Sequence, residues 1–231
     1  MKDQSRRKFI INSAKIGVAV IGTAILGKEF LLAQPSEVVN IQFPETNCGS
    51  KNKGGQKILV AYASESGTTA EVAQAIGQVL CQKGNVVETK WVKNVNDLNN
   101  YDAVIIGSAI QYDKWMPEAT EFVTANQNIL SKLPVAYFFT CLALSIQDKK
   151  AAKKKAMAYS DKLYALVPQV KPVDVGRFAG VLDYNKLSFF NRLIFKVMLS
   201  ILGVQEGDYR DWEAIRAWAK DTQLKLNLAL K

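Results

Sequence analysis

Between residues 57 and 228, stretches of strand length alternate with stretches of helical spacing, and this alternation constrains the fold more than any other feature. The first stretch, KILVAYA at 57–63, is a continuous apolar run, which is typical of a strand buried on both faces. The alternation predicts an α/β fold with a doubly wound parallel sheet of five strands in the order 2-1-3-4-5. The predicted strands cover 57–63, 85–92, 101–108, 134–143 and 173–182, and the predicted helices cover 69–81, 117–130, 149–166 and 211–228.

Ligands of such sheets bind beyond the carboxyl ends of the strands, near the point where the strand order reverses. The loop after the first predicted strand, 64–69, carries four hydroxyls and one glycine just before a helix. Backbone N–H groups and the helix dipole at such a place favour a phosphate. A plain helix start is the alternative, because Thr68 and Glu71 have the spacing of a capping box. The loop has neither the lysine of a Walker A site nor the G-x-G-x-x-G of a dinucleotide site.

The stretch YASESGTTAEVAQAIGQVL resembles the FMN-phosphate loop and first helix of flavodoxins, whose [ST]-x-[ST]-G-x-T pattern is met from Ser64 to Thr69. The resemblance implies a flavodoxin-like fold that binds FMN. It also implies that the loops after the third and fourth strands hold the isoalloxazine ring. The implied cofactor-binding residues are Ser64, Glu65, Ser66, Gly67, Thr68 and Thr69 at the phosphate, and Ser108, Ala109, Ile110, Gln111, Tyr112, Trp115, Thr140, Cys141, Leu142 and Ala143 at the ring.

Two aromatic residues of the loop after the third strand, Tyr112 and Trp115, are expected to stack on the ring or to shield it. The alternative is a surface pair that packs on the next helix. Cys141 ends the fourth predicted strand, and we expect it to be a small buried apolar residue rather than a redox partner.

An apolar insertion at 183–206 separates the fifth predicted strand from the last helix. Its apolar residues follow helical spacing around most of the circumference, and its basic residues are Lys186, Arg192 and Lys196. A helix of this kind is too short to span a bilayer but suits an anionic membrane surface. The alternative is a helix that covers the core of its own domain.

The stretch GRFAGVLDYNKLSFFNRLIFKVMLSILG and the later DYRDWEAIRAWA resemble the C-terminal part of menaquinone-dependent protoporphyrinogen oxidases, flavodoxin-like enzymes of haem synthesis. This resemblance implies an FMN-dependent oxidoreductase. Such an enzyme passes electrons from a reduced donor, with protoporphyrinogen IX as one candidate, to a membrane quinone. The main alternative is an exported flavodoxin-like electron carrier without its own small-molecule substrate, which would exchange electrons with a redox protein. An interaction domain without flavin is a third class.

The first 33 residues combine a basic head with an apolar run from Ile16 to Gly27, which is the pattern of an export signal. The segment SRRKFI at 5–10 resembles the twin-arginine signature S-R-R-x-F-L, with isoleucine in the last position. A Sec signal is the alternative, and the segment is expected to be either cleaved or kept as an anchor.

The twin-arginine translocase carries folded proteins with their cofactors bound, so the resemblance implies that FMN is loaded before export. The protein is therefore expected to be periplasmic or extracytoplasmic and membrane-associated. Residues 34–56 are predicted to be a linker in which Cys48 is exposed, and 57–228 to be the flavodoxin-like domain.

Composition excludes several kinds of chemistry. The chain has no histidine, which excludes histidine triads, histidine metal ligands and histidine acid–base catalysis. The cysteines, at 48, 81 and 141, form neither a zinc motif nor a C-x-x-C motif, so we predict no metal site. The net charge of +9 favours anionic partners, but no nucleic-acid-binding motif is present, so we predict no nucleic-acid partner. No side chain stands out as a catalytic acid or base.

Overall fold

The computed structural model describes residues 43–49, 54–146, 148–184 and 204–230. The strands within these ranges are β1 (Thr46–Cys48), β2 (Lys57–Ala63), β3 (Val86–Trp91), β4 (Ala103–Gln111), β5 (Lys114–Trp115), β6 (Val135–Cys141), β7 (Asp174–Ala179), β8 (Val181–Leu182) and β9 (Gly207–Asp208). The helices are α1 (Thr68–Gln82), α2 (Pro117–Ala125), α3 (Gln127–Leu130), α4 (Lys149–Leu166) and α5 (Trp212–Ala229).

Five strands run parallel in the spatial order β3-β2-β4-β6-β7. In chain order this is 2-1-3-4-5, which confirms the predicted topology. β1 extends the sheet antiparallel beside β3, and β5 pairs antiparallel with the end of β4. Because β3 and β4 lie on opposite sides of β2, the strand order reverses at β2 and β4, and a ligand site is expected at their carboxyl ends.

Helices cover both faces of the sheet, because its central strands carry apolar side chains on both sides. On one face, α1 and α5 contribute Ile76 and Ile215 to a core that includes Phe138. On the other face, α2 and α4 contribute Val123 and Leu163 to a second core. The faces of the sheet are therefore covered, and the loops at the carboxyl ends of the strands remain as the place for a ligand.

The helix predicted at 117–130 consists of two helices, α2 and α3, that meet at Asn126. The side-chain amide of Asn126 donates a hydrogen bond to the carbonyl oxygen of Phe122 at 2.9 Å. An asparagine bonded to its own backbone in this way competes with the continuing helix, which explains the interruption.

The strand predicted at 173–182 is also interrupted, because β7 ends at Ala179 and the chain then pairs β8 with β9. The N–H of Gly180 donates to the carbonyl oxygen of Cys141 at 3.1 Å, and its carbonyl oxygen accepts from the N–H of Tyr209 at 3.1 Å. Gly180 is therefore the point at which the chain leaves the main sheet for the β8–β9 ribbon.

Part of the segment predicted to be a linker is ordered against the sheet, since β1 pairs with β3. Cys48, at the end of β1, is half-buried, so the expectation that it is exposed is wrong. The ring of Phe43 stacks on Trp91 with 4.5 Å between ring centroids. Backbone pairing and apolar contact together explain why this stretch leaves solvent.

Two predictions lie outside the described residues. These are the export signal at 1–33 and the central part of the insertion, 185–203. Among the helices that the structure does describe, none combines the length and the apolar character needed to cross a membrane.

Candidate functional site

The loop between β2 and α1 presents a helix start without a side-chain cap. Gly67 is the N-cap residue of α1, with a left-handed φ of 80°, and no side chain makes a capping hydrogen bond to the amides of the first turn in the described part of the chain. Thr68 is already the first helical residue, so the capping box considered for Thr68 and Glu71 does not form. The amides of this first turn, with the positive end of the helix dipole, are suited to an anion.

The hydroxyl groups of this loop lie at different depths. The Ser66 and Thr68 hydroxyl oxygens are 3.3 Å apart, in residues that line a cavity. Ser64 lies beneath them, and its buried hydroxyl has no hydrogen-bond partner in the described part of the chain. Buried hydroxyls nearly always have a partner, so this unsatisfied oxygen fits a loop shaped to hold a phosphate.

A hydrogen bond joins the start of α1, next to the 64–69 loop, to the end of β6. The hydroxyls of Thr69 and Thr140 are 2.8 Å apart, and both residues are buried. Thr140 also lines the cavity. This buried hydrogen bond therefore holds the start of α1 close to the end of β6.

The cavity lies at the switch point of the sheet, and most of the predicted site residues line it. Its described lining residues are Glu65, Ser66, Thr68, Ala109, Ile110, Gln111, Tyr112, Met116, Thr140, Cys141, Leu142, Gly180, Val181, Leu182 and Asp183. The predicted residues that do not line it are Ser64, Gly67, Thr69, Ser108, Trp115 and Ala143.

Ser108 supports the cavity wall from below. Its hydroxyl donates to the carbonyl oxygen of Ala109 at 2.7 Å and accepts from the N–H of Met116 at 2.9 Å. It is fully buried, so it acts on the shape of the 109–116 loop and not on a ligand.

Trp115 belongs to the core, and the expectation that it stacks on a bound ring is not met. It is 5% exposed, and its indole N–H donates to the carbonyl oxygen of Tyr159 at 3.2 Å. Its ring meets Tyr137 and Phe139 edge-on, with centroid distances of 5.7 and 6.0 Å. The β4–β5 hairpin folds back over the sheet and carries this side chain away from the cavity.

The turn of that hairpin is the part of the cavity rim held most tightly. Tyr112 and Asp113 both have positive φ, 49° and 61°, which is costly for residues with a side chain. Helix α4 fixes the turn through Asp113. Its carboxylate pairs with Lys155 at 2.9 Å and accepts from the Tyr159 hydroxyl at 2.8 Å, and its carbonyl oxygen accepts from Lys162 at 2.9 Å. Tyr112 itself is 73% exposed and stands free to cover a ligand.

The described cavity lining contains no lysine or arginine, although the chain as a whole is basic. Its acidic members are Glu65 and Asp183, and the Glu65 carboxylate accepts a hydrogen bond from the Gln111 amide. Burial raises the pKa of the Cys141 thiol to about 11, so Cys141 carries its proton at neutral pH. The walls are therefore mostly neutral, with the strongest anion-binding feature at the start of α1.

Sequence reasoning missed the wall formed by Gly180, Val181, Leu182 and Asp183. These residues follow β7, the fifth parallel strand, whereas the predicted site residues lie in the loops after the first, third and fourth strands. The signal was present, because GVLD directly follows that strand and ends at the same edge of the sheet.

Sequence reasoning also missed Arg210, which connects the β8–β9 ribbon to the first residue of α1. Its guanidinium donates to the carbonyl oxygen of Thr68 at 3.1 Å and pairs with Glu71 at 2.8 Å and Asp208 at 2.6 Å. It lies 4.4 Å from the centre of the Trp212 ring, and its side chain is 7% exposed. The hydrogen bond from Arg210 lowers the pKa of the Asp208 carboxyl. An arginine between two aspartates, just before a helix, is the pattern that could have revealed it.

The chain was compared with protein families and with curated proteins of known function. A family model described as a flavodoxin domain matches residues 59–207, well over half of the chain. The chain is similar to protoporphyrinogen IX dehydrogenase (quinone) of Leishmania major, with 28% identity over 173 residues that cover 71% of this chain and 74% of that protein. It is also similar to the Escherichia coli K12 protein of the same name, with 24% identity over 172 residues that cover 71% of this chain and 93% of that protein.

Two solved structures are among those to which the chain is similar. Flavodoxin 2 from Bacillus cereus gives a TM-score of 0.46 at 18% identity, covering 73% of this chain and 99% of that one. A flavoprotein from Lactobacillus acidophilus, solved in complex with FMN, gives 0.40 at 19% identity, covering 53% of this chain and 93% of that one.

Proposed function

Because the chain belongs to the family of flavodoxin domains, we propose that it is an FMN-dependent oxidoreductase that passes electrons from a reduced donor to a membrane quinone. The observation that carries the proposal is the cavity at the switch point, which joins an uncapped helix start to apolar walls. A phosphate attached to a flat ring system requires these two environments side by side. The similarity to two protoporphyrinogen IX dehydrogenases named as quinone-dependent supports a quinone as acceptor.

Residues of the 64–69 loop would hold the FMN phosphate. The hydroxyls of Ser66 and Thr68 lie at the cavity, the amides of the first turn of α1 add donors, and the unsatisfied Ser64 hydroxyl lies beneath them. Charge-assisted hydrogen bonds of this kind compensate for the absence of a lysine or arginine from the described lining.

The apolar walls would hold the ring, with Leu142 and Val181 in the lining and Tyr112 at the rim. When bound, FMN supplies the capacity to accept and release electrons singly or in pairs. The side chains around it bind, orient and limit solvent access. Tyr112 can contribute by covering an exposed ring face, because its side chain is unpacked while its backbone is fixed by Asp113.

Among the described residues of the cavity lining, the carboxylates of Glu65 and Asp183 are the acidic groups that proton transfer could use. The chain has no histidine, and Cys141 keeps its proton at neutral pH. The carboxylate of Glu65 is already engaged by Gln111. Such a lining suits a reaction in which the cofactor does the chemistry and the protein positions the donor.

The donor site is proposed to lie between the flavin and the insertion at 183–206. The described residues on either side of the central insertion meet next to the cavity, where Leu182 packs with Val204 and the Tyr184 N–H donates to Glu206 at 2.9 Å. Leu182 lines the cavity itself. An apolar, basic segment that leaves and rejoins the fold here is well placed to meet a flat apolar donor or a quinone at an anionic membrane surface.

An anaerobic assay tests the proposal. FMN-loaded protein is mixed with protoporphyrinogen IX and a menaquinone analogue, and porphyrin fluorescence and quinone reduction are followed. Rapid porphyrin formation coupled to quinone reduction is expected. Quinone-linked flavin turnover without porphyrin formation would leave the oxidoreductase with another donor. Loss of both, with reduction of a small redox protein intact, would favour the electron carrier.

The membrane part of the proposal is tested separately. Changing Phe189, Phe195 and Leu199 together to serine should abolish quinone reduction while leaving FMN bound and reaction with small soluble acceptors intact. Unchanged quinone reduction in this variant would mean that the insertion does not form the quinone site.

We further propose export by the twin-arginine translocase, supported by SRRKFI at 5–10 and by the need to load FMN before crossing a membrane. Replacing Arg6 and Arg7 by lysine keeps the charge and should retain the protein in the cytoplasm. The measurement is fractionation of cells that express either form. Equal export of both forms would contradict the proposal.

A further inference from the structure

Two of the three cysteines stand side by side at the edge of the domain opposite the cavity loops. Cys48 ends β1, and Cys81 lies in the last turn of α1. The Cys48 thiol lies 4.0 Å from the carbonyl oxygen of Gly77, one turn before Cys81 on the same helix. Cys48 and Cys81 are both partly buried free thiols that pack against the same core, and Cys81 is close enough to contribute to the raised pKa of the Cys48 thiol.

The backbone around Cys48 fixes this contact. Cys48 pairs in register with Val87 of β3. The next residue, Gly49, has a φ of 91° and approaches β3 so closely that a Cβ there would lie 2.1 Å from the carbonyl oxygen of Asn85. Before β1, the carbonyl oxygen of Pro44 accepts a hydrogen bond from the Tyr62 hydroxyl at 2.9 Å. Cys48 is therefore held against α1 by the sheet edge and not by a loose loop.

We propose that Cys48 and Cys81 form an intramolecular disulfide when the protein meets a disulfide oxidant. The thiolate of one cysteine attacks the oxidant's S–S bond and releases one oxidant thiol, which leaves a mixed disulfide. The second cysteine then loses its proton and attacks the protein sulfur, which forms the Cys48–Cys81 bond and releases the second oxidant thiol. Two protons and two electrons pass from the protein thiols to the oxidant disulfide, so the step balances.

The third cysteine is excluded from this pairing. Cys141 is 4% exposed and belongs to the core on the other face of the sheet, whereas Cys48 and Cys81 pack against the core under α1 and α5. Burial, and then the neighbouring Cys81, raise the pKa of the Cys48 thiol to about 12. Oxidation is therefore expected to quicken with rising pH, because Cys48 must lose its proton in one of the two steps.

The bond would fasten the amino-terminal side of the chain to the folded domain. Residues 1–33 precede this strand in the chain. β1 is three residues long and lies at the sheet edge, where a cross-link to α1 adds most to a weak attachment. The proposal depends neither on FMN chemistry nor on export, although an oxidising compartment outside the cytoplasm would favour the bond.

The test uses the purified, fully reduced, FMN-loaded full chain, incubated with excess oxidised glutathione. It is then denatured and alkylated without reduction. One alkylated cysteine of the chain's three is expected, with Cys48 and Cys81 recovered in one cross-linked peptide. Cys141→Ser should keep this peptide, while Cys48→Ser and Cys81→Ser should each give a glutathione adduct in its place. The oxidised chain should melt about 5 °C or more above the reduced chain, and the Cys48→Ser variant should show no such difference.

Two results would overturn the proposal. One is three alkylated cysteines after oxidation. The other is a wild-type chain that accumulates glutathione adducts without an internal bond. Because neither readout depends on flavin or on cell location, failure here leaves the proposed function and the proposed export to their own experiments.

Discussion

Gly67→Ala is the change that most directly tests whether the β2–α1 loop holds a phosphate. Gly67 has a φ of 80°, and an L-residue in that region costs about 1–2 kcal/mol. For a domain of this size that cost lowers the melting temperature by about 2–8 °C. If the loop relaxes instead, the first-turn amides of α1 turn away from the ligand. Losing one charge-assisted bond to the phosphate costs about 1.5–3 kcal/mol, or roughly ten- to a hundredfold in FMN affinity.

Gly84→Ala is the matched control. Gly84 lies in the turn between α1 and β3 with a φ of 93°, and a Cβ there would meet nothing within 4 Å. Both variants should therefore lose similar stability, but only Gly67→Ala should lose FMN affinity. Flavin fluorescence quenching measures the affinity, and riboflavin, which lacks the phosphate, should be affected far less than FMN. Equal FMN affinity in the two variants would refute the phosphate assignment of the loop.

The remaining predictions concern the contacts that hold the cavity together. Thr140→Val removes the buried bond to Thr69 and should cost about 1–2 kcal/mol in unfolding free energy, measured by urea titration, with a several-fold loss of FMN affinity. Arg210→Met should lower the melting temperature by a few degrees and raise the rate of FMN release in stopped-flow experiments, while a fall in stability alone would limit Arg210 to a structural role. Because Arg210 lowers the pKa of Asp208, their contribution to stability is complete above the ordinary aspartate pKa of about 3.9 and is lost as pH falls through the lower folded value. Asp208→Asn should therefore flatten the stability profile below about pH 4, and an unchanged acid limb would contradict this.

The regular part of the fold could be predicted because its signals are local. The apolar run at 57–63 and the helical spacing at 149–166 correspond to β2 and α4 with the same bounds. The two interruptions could not be predicted in the same way. Asn126 stops α2 through a side-chain bond to its own helix, and Gly180 redirects the chain through bonds to Cys141 and Tyr209. Contacts between distant segments leave no periodic trace in the sequence.

At the candidate site, too, local sequence patterns predicted some features and could not predict others. The pattern from Ser64 to Thr69 identified a loop that lines the cavity, but spacing alone could not separate a helix cap from an anion site, since both use hydroxyls at a helix start. Trp115 shows the opposite failure. Its position three residues after Tyr112 suggested a shared role, yet the hairpin sends one ring to the rim and the other into the core.

The contacts of Arg210 connect the start of α1, beside the cavity, to the ribbon that precedes the last helix. Arg210 donates a hydrogen bond to Thr68 at the start of α1, and it forms an ion pair with Asp208 of the β8–β9 ribbon. That ribbon includes Leu182, which packs with Val204, and these two described residues lie on either side of the central part of the insertion, 185–203. A donor or membrane surface that moves the insertion would therefore strain the ribbon, and the ribbon bears on the loop proposed to hold the phosphate. For this reason the affinity for FMN and the occupancy of the insertion should depend on each other, since any coupling between two binding sites is reciprocal.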